Sequence, residues 1–168
     1  MQKILIPVDG TENALHAVRH AARYTPSMPI EVHLLNVQPV FPRHVSWFIP
    51  KRVRNQVRRE RGNQAIAEAR DLLARLGIPA CAHIAIGDKA AAIAATAART
   101  GCDRIVMATA RRNTLTRLFD VSLTKRVINR ASVPVEVVPG NRVPAVERIG
   151  VPVGLGTALA LAVASTIE

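Results

Sequence analysis

The sequence KILIPVDGT at residues 3–11 decides the fold prediction. Residues 3–8 form a short apolar run rich in β-branched side chains, which is typical of a buried strand. Asp9, Gly10 and Thr11 then interrupt the run with residues that favour turns and helix N-caps. Between residues 14 and 22 the apolar side chains recur at helical spacing. The stretch therefore predicts a buried strand that leads directly into a helix.

The same alternation continues along the chain. Further apolar runs predict strands at residues 30–37, 80–86, 103–109 and 133–138. Helical patterns separate these runs at residues 51–76, 87–100 and 114–131. Because crossovers between parallel strands are right-handed, this order predicts an α/β fold, a doubly wound five-stranded parallel sheet with helices on both faces.

The length and composition of the chain fit one domain. Its 168 residues fall in the range of a single hydrophobic core, roughly 100 to 200 residues. Hydrophobic residues make up 49% of the chain and aromatic residues only 3%, so Ala, Val, Ile and Leu must build the core. That composition suits a sheet covered by Ala-rich helices. We predict an α/β domain over residues 1–140, followed by an apolar tail over residues 141–168.

The tail raises the question of a membrane span, because residues 149–167 contain no charged side chain. Glycines and a proline interrupt its first third, so only residues 155–167 form a good helical pattern. Such a helix would be roughly 20 Å long against a bilayer core of about 30 Å. We therefore expect the tail to pack on its own domain or on a dimer partner, without membrane attachment.

The cellular compartment is predicted from the first residues and from the cysteines. Residues 1–8 lack the charged region, long apolar stretch and cleavage site of a secretory signal. Cys81 and Cys102 show neither metal-binding spacing nor a CxxC pair. We expect a cytoplasmic protein whose cysteines stay reduced and serve as small core residues.

Positive charge is concentrated in two segments of the chain. The whole sequence has 23 Lys and Arg against 12 Asp and Glu, a net charge of +11. Residues 43–61 and residues 104–130 each carry seven cations against one carboxylate, so the remaining residues are close to neutral. This distribution favours a localised anionic partner.

A candidate binding crevice follows from the predicted topology. Doubly wound sheets bind ligands at the carboxyl ends of their strands, where the strand order reverses. Asp9, Gly10 and Thr11 would face residues 108–113 there. Asp9 either accepts hydrogen bonds from a ribose or base, or only caps the following helix. Gly10 permits a tight turn, and Thr11 is an N-cap under either interpretation.

These segments resemble the universal stress protein family. The resemblance rests on residues 4–11, Val37, residues 87–88, 103–107 and 133–135, in the family's order and at similar spacing across residues 1–138. It implies strand order 3-2-1-4-5 and homodimerisation through the edge strand Val133–Val138, whose unpaired backbone needs covering. In many members it also implies ATP, held by a G-x-x-G loop followed after nine residues by G-S or G-T.

The chain departs from this loop pattern. Ala108, Arg111 and Val121 occupy the three glycine positions, and only the hydroxyl of Ser122 matches. Glycine at such positions lets backbone N–H groups approach phosphate oxygens. The replacements therefore predict that ATP or another adenine nucleotide binds weakly or not at all, and the cofactor stays unknown. Arg111 and Arg112 either contact phosphate directly or are solvated loop charges.

Known catalytic and metal-binding patterns do not occur in the sequence. It has no GxxxxGK[ST], no GxSxG and no Ser-Gly-Gly-x-Asp-Ser loop. Its five histidines form no HExxH pair, and His16 and His20 have no evident carboxylate partner. We predict a protein that is not an enzyme, with no catalytic residues and no metal site.

The leading hypothesis is a dimeric stress-response protein that senses a small phosphorylated ligand through Asp9, Val37, Arg111 and Ser122. The alternative is anion-driven binding of nucleic acid or of a membrane surface by the same basic segments. The aromatic residues Phe41, Trp47 and Phe48 precede the run at residues 51–61 and do not interleave with it. We expect them to pack the long loop onto the crevice, which favours a small ligand over stacked bases.

Overall fold

The computed structural model describes residues 1–42, 47–109 and 123–140. The strands of these residues are β1 Gln2–Pro7, β2 Ile30–Gln38, β3 Ala80–Ile86, β4 Arg104–Thr109 and β5 Val135–Pro139. The helices between them are α1 Glu12–Ala22, α2 Lys51–Arg75 and α3 Lys89–Thr100, and residues 123–128 are also helical. The predicted elements are confirmed to within about two residues at most ends, and the first part of the predicted helix 114–131 lies outside the described residues.

The strands form one parallel sheet in the order β3-β2-β1-β4-β5. Leu5 at the centre of β1 lies opposite His33 of β2 on one side and Ile105 of β4 on the other. The chain therefore winds outward from β1 to β3 and then crosses back to β4. This arrangement confirms the predicted doubly wound topology and places the reversal of strand order at the boundary between β1 and β4.

Two apolar layers hold the sheet between the helices. Ile4 and Ile6 face α1 and α2, whereas Leu5 and Ile105 face α3 and the helical residues 123–128. Alternate side chains of a strand point to opposite faces, so one apolar run supplies both layers. Buried alanines line the helix surfaces, and their small side chains bring the helices close to the sheet, at Ala17, Ala21, Ala69, Ala90 and Ala97.

Helix ends are fixed by side chains that the sequence marks. The Thr11 hydroxyl accepts a hydrogen bond of 3.4 Å from Ala14 N at the start of α1. Asp88 caps α3 by accepting one of 3.0 Å from Ala91 N. This bond, followed by the ion pair with Arg126, lowers the pKa of Asp88. Gly101 ends α3 in the left-handed region, at a φ of 64°.

The cysteine prediction is half wrong. Cys102 is buried in the second apolar layer, but Cys81 is exposed. Cys81 lies on β3, which is an edge strand, and its thiol donates a weak hydrogen bond of 3.5 Å to Glu31. Partial desolvation of the sulfur by its neighbours, followed by the Glu31 carboxylate, raises the pKa of this thiol.

The tail at residues 141–168 lies outside the described residues. Within the described part, every helix is too short or too polar to cross a bilayer.

Candidate functional site

The candidate crevice lies where the carboxyl ends of β2, β1 and β4 meet. Pairing of β1 with β2 continues past the end of β1, because Val8 N donates a 2.8 Å hydrogen bond to Leu35 O. Asp9, Gly10 and Thr11 follow at once and lead into α1. Ala108 pairs with Val138 near the end of β4 and lies at the same edge of the sheet. The structure thus brings the described members of the predicted site to one end of the sheet.

Asp9 organises the turn between β1 and α1. Its Oδ1 accepts hydrogen bonds from the Thr11 backbone N–H at 3.1 Å and from the Thr11 hydroxyl at 2.6 Å. The same hydroxyl oxygen caps the helix at Ala14 N. Both bonds to Asp9 use Oδ1, so within the described part of the chain Oδ2 stays available, and Asp9 is exposed. The carboxylate is therefore both a structural element of the turn and a potential ligand acceptor.

Gly10 has two reasons to be glycine. Its φ of 80° lies in the left-handed region, which side chains disfavour. A Cβ at this position would also lie 3.4 Å from Ala65 Cα on α2. The positive φ agrees with the predicted tight turn after β1, and the close approach of Ala65 shows that this turn contacts α2.

Val37 and Ala108 contribute apolar walls. The half-buried Val37 side chain packs against the layer formed with α3, and that of Ala108 packs against the layer formed with α1. The methyl group of Ala108 occupies a position where glycine would leave the backbone open.

Three further predicted residues, Arg111, Arg112 and Ser122, lie outside the described residues. Their predicted contact with phosphate stays a prediction.

Asn36 is a residue of the crevice that sequence reasoning missed. It is buried at the end of β2, where its Nδ2 donates to Val8 O at 2.8 Å and its Oδ1 accepts from Gln38 Nε2 at 2.6 Å. The bond to Val8 O ties the end of β2 to the residue that precedes Asp9, and the bond from Gln38 lies within β2. A signal was present in the sequence, because a polar amide interrupts the apolar run of residues 30–37.

Gly140 follows β5 and lies close to the end of β4 and to the start of α1. Its N–H donates a 2.8 Å hydrogen bond to Thr109 O. A Cβ here would collide with that carbonyl oxygen and would lie 2.5 Å from Asn13 Oδ1 in the first turn of α1. The ends of β4, β5 and the start of α1 therefore meet with no room for a side chain.

Several cations of the basic segments have partners inside the fold. Arg104 lies 3.5 Å from Glu136 on β5, and Arg126 pairs with Asp88. Arg58 is buried, with its guanidinium 4.7 Å above the ring of Phe41. The segment at residues 104–130 thus presents less free charge to a ligand than its composition suggests.

The expectation that aromatic side chains pack the long loop onto the crevice is wrong for Trp47 and Phe48. They are 87% and 85% exposed. The ring of Phe41 packs against the guanidinium of Arg58 on α2. Sequence alone could not place these rings, because their burial depends on the path of an irregular loop.

His20 has the carboxylate partner that the sequence did not reveal. Glu136 Oε1 lies 2.6 Å from His20 Nε2, and Glu136 Oε2 accepts a 2.5 Å hydrogen bond from Tyr24. Burial opposes ionisation of Glu136, but the hydrogen bonds from Tyr24 and His20 outweigh it and lower its pKa. Burial, followed by the bond to Glu136, raises the pKa of Tyr24. This cluster joins α1 to β5, and the described residues contain no group of ligands able to hold a metal ion.

Comparison with known proteins shows which family this chain resembles in sequence. A sequence model described as the universal stress protein family matches residues 1–139. Universal stress protein MJ0531 of Methanocaldococcus jannaschii is 29% identical over 142 residues, which cover 82% of this chain and 81% of the relative.

Solved structures share the fold. The hypothetical protein MJ0577 superposes with a TM-score of 0.67 at 27% identity, over 84% of this chain and 98% of the other. A universal stress protein family protein from Arabidopsis thaliana with AMP bound gives a TM-score of 0.61 at 15% identity, over 84% and 93%. These likenesses extend over nearly the whole of each solved chain.

Proposed function

Since the chain belongs to the universal stress protein family, we propose that it is a cytoplasmic, non-enzymatic stress-response protein that binds a small phosphorylated ligand in the crevice. The observation that carries the ligand proposal is the arrangement of Asp9. Its Oδ1 is held by Thr11, and its Oδ2 faces no donor among the described residues, at the point where the strand order reverses. A fixed, exposed carboxylate is suited to accept hydrogen bonds from ribose hydroxyls. The Arabidopsis protein that shares this fold holds AMP.

The location is supported by both cysteines, which are free thiols, as is usual in a reducing compartment. For the non-enzymatic part, a structural role accounts for the Thr11 hydroxyl, because it donates to Asp9 and its oxygen accepts from Ala14 N at the start of α1. Incubation of the protein with ATP should leave the 31P NMR spectrum of the ATP unchanged. Steady release of ADP and phosphate would contradict this part of the proposal.

Asp9→Asn is the direct test of the binding site. The amide keeps the size of the side chain but replaces one acceptor oxygen with a donor, so we expect AMP affinity to fall about tenfold, equivalent to roughly 1.4 kcal/mol. Calorimetric titration with AMP measures the effect. The matched control is Asp71→Asn, which removes an exposed carboxylate on α2. No saturable AMP binding by the wild-type protein, or equal losses in both variants, would contradict the proposed site.

ATP should bind more weakly than a dissociation constant of about 1 μM, equivalent to roughly −8 kcal/mol. The physical reason is the side chain at Ala108, together with Arg111 and Val121 in the sequence, at positions where phosphate-binding loops use glycine. We propose that Arg111, Arg112 and Ser122 supply the phosphate contacts in place of those backbone groups. Tighter ATP binding in the same calorimetric experiment would overturn this reasoning.

We also propose that the protein is a homodimer through β5. This strand is an edge of the sheet, and Val137 on it is 39% exposed. Edge strands with exposed apolar side chains are stabilised when a second strand covers them.

A second candidate function is anion-driven binding to nucleic acid or to a membrane surface. The observation in its favour is that Trp47 and Phe48 are exposed just before the basic start of α2, at Lys51 and Arg52. Aromatic rings beside cations can stack on bases or enter a lipid headgroup region. Trp47 is the single tryptophan of the chain, so its fluorescence reports directly on this surface. Quenching by single-stranded DNA, or a blue shift with phosphatidylserine vesicles, would support this candidate, and an unchanged spectrum with both would exclude it.

A further inference from the structure

A cavity lies between α2 and β3, away from the crevice. Its volume is about 420 Å³, within the usual range of roughly 300 to 1,000 Å³ for small-molecule sites. The cavity is lined from two sides, by Asn55, Arg58, Arg59 and Asn63 on α2 and by Ala82, Ile84 and Ile86 on β3. It therefore combines a polar wall with an apolar floor.

Helix geometry separates this cavity from the crevice. Asn63 and Ala65 are two positions apart, which places them roughly 200° apart around the helix axis. Ala65 contacts the turn at Gly10, whereas Asn63 lines the cavity. The two candidate sites thus lie on different sides of α2.

Gly62 brings the polar wall close to the floor. A Cβ on Gly62 would lie only 2.7 Å from Ile84 Cδ1, so α2 packs directly on the edge strand at this point. Asn55, Arg59 and Asn63 follow one another at four-residue spacing on the neighbouring side of the helix. A row of two amides and a guanidinium therefore borders the apolar side chains of β3.

Arg58 is the feature that indicates the charge of a ligand. It is only 9% exposed, and within residues 1–42, 47–109 and 123–140 its Nε has no hydrogen-bond partner. In the same residues it makes a 3.3 Å hydrogen bond from Nη1 to Asn55 Oδ1 and contacts the ring of Phe41. The ion pairs among the described residues do not include Arg58. A buried guanidinium without a carboxylate is unfavourable, and a bound anion would relieve that cost.

We propose that this cavity is a second ligand site, specific for an organic anion with an apolar body. The anionic group is held by Arg58 and Arg59, which can bind it through charge-assisted hydrogen bonds. The amides of Asn55 and Asn63 orient it, and the apolar body packs on Ala82, Ile84 and Ile86. This site goes beyond the proposed function of the crevice and does not depend on it.

The test uses 1-naphthyl phosphate as the probe and the full chain labelled with 15N. Saturable shifts are expected at Arg58 Nε–H and at the side-chain amides of Asn55 and Asn63. Asn63→Asp places a carboxylate in the polar wall without changing its size, and should weaken probe binding about tenfold through like-charge repulsion. Gln64→Glu makes the same charge change at the adjacent exposed position, which does not line the cavity, and should change affinity by less than about twofold.

Equal effects of the two substitutions would overturn the proposal, as would absence of saturable binding or shifts confined to residues 9–11. Ala82→Phe gives an independent check, since its ring should fill the cavity and exclude the probe. Retained probe binding in this variant would also overturn the proposal. AMP titration of Asn63→Asp distinguishes the two sites. Asn63 lines the cavity and not the crevice, so this substitution should leave the AMP affinity of the crevice unchanged.

Discussion

His33 and His83 form a pair of imidazoles on the sheet face that α3 covers. His33 Nδ1 lies 2.9 Å from His83 Nε2, and the rings are nearly parallel with centroids 5.2 Å apart. Burial lowers the pKa of both side chains. For His33 the Lys3 charge adds to this effect and Glu31 opposes it, whereas for His83 the charges of His33 and Arg99 add to it. The folded protein therefore favours the uncharged pair.

This pair predicts that the protein loses stability on mild acidification. The folded-state pKa values lie below the unfolded value of about 6.5, so the unfolded chain binds protons first as the pH falls. The contribution of the pair to the free energy of unfolding should therefore be fully present above about pH 6.5 and decrease below it. It should level off once the folded pair is protonated. Urea unfolding between about pH 7.5 and 5 measures the trend. His83→Gln should reduce the slope, and an unfolding midpoint that is constant over this range would contradict the reasoning.

At Arg111 and Arg112 the prediction concerns ligand choice. Alanine at both positions should weaken AMP binding about tenfold if their guanidinium groups contact phosphate, and should weaken single-stranded DNA binding less. Titrations at low and moderate salt separate a specific contact from general attraction. Alanine at Arg70 and Arg75, two exposed cations of α2, is the matched control. Equal losses for AMP and DNA would favour the polyanion candidate.

At the scale of elements, Gly62 fixes the distance between α2 and β3. Alanine is a better helix former than glycine by about 1 kcal/mol, but its Cβ would overlap the side chain of Ile84. Overpacking a tight contact costs about 1 to 3 kcal/mol, so Gly62→Ala should lower the free energy of unfolding by about 1 kcal/mol net. Chemical denaturation measures this change. Gly62→Ala combined with Ile84→Ala should not show the overlap cost, and a stabilised single variant would show that β3 yields at this point.

The elements themselves could be predicted because their signals are local. Apolar runs, turn residues and glycine stops specify where each strand and helix begins and ends, and right-handed crossovers then limit the sheet order. The contact of His20 with Glu136 could not be predicted, since 116 residues separate the two and neither carries a local signal. Exposure of Cys81 follows from the edge position of β3, which residue composition does not indicate.

The candidate site was predictable to a similar extent. The position of Asp9 after the first strand and the turn at Gly10 follow from the sequence alone. The role of Asn36 under Asp9 and the cavity beside β3 depend on side-chain packing between elements distant in sequence.

At the scale of the whole molecule, homodimerisation through β5 has a direct test. Light scattering of the wild-type protein should give about twice the chain mass of 18.2 kDa. Val137→Lys should give a monomer, because a charge on the edge strand opposes strand pairing. Val53 on α2 is similarly exposed, 45% against 39% for Val137, so Val53→Lys is the matched control and should remain dimeric. A monomeric wild-type protein at high concentration would rule out this interface.

The central position of β1 has a consequence for synthesis on the ribosome. Ile4 on β1 pairs with a strand on each side. Its partner on β4 is Arg104, which is encoded about 100 codons later. At roughly 5 to 20 residues per second, one flank of the first strand stays open for about 5 to 20 seconds. During that time the nascent chain exposes an unpaired edge of an apolar strand, with which strands of other nascent chains can pair. β1 is thus completed only after β4 has been made, and a translational pause between the two strands would lengthen the interval in which the growing chain needs a chaperone.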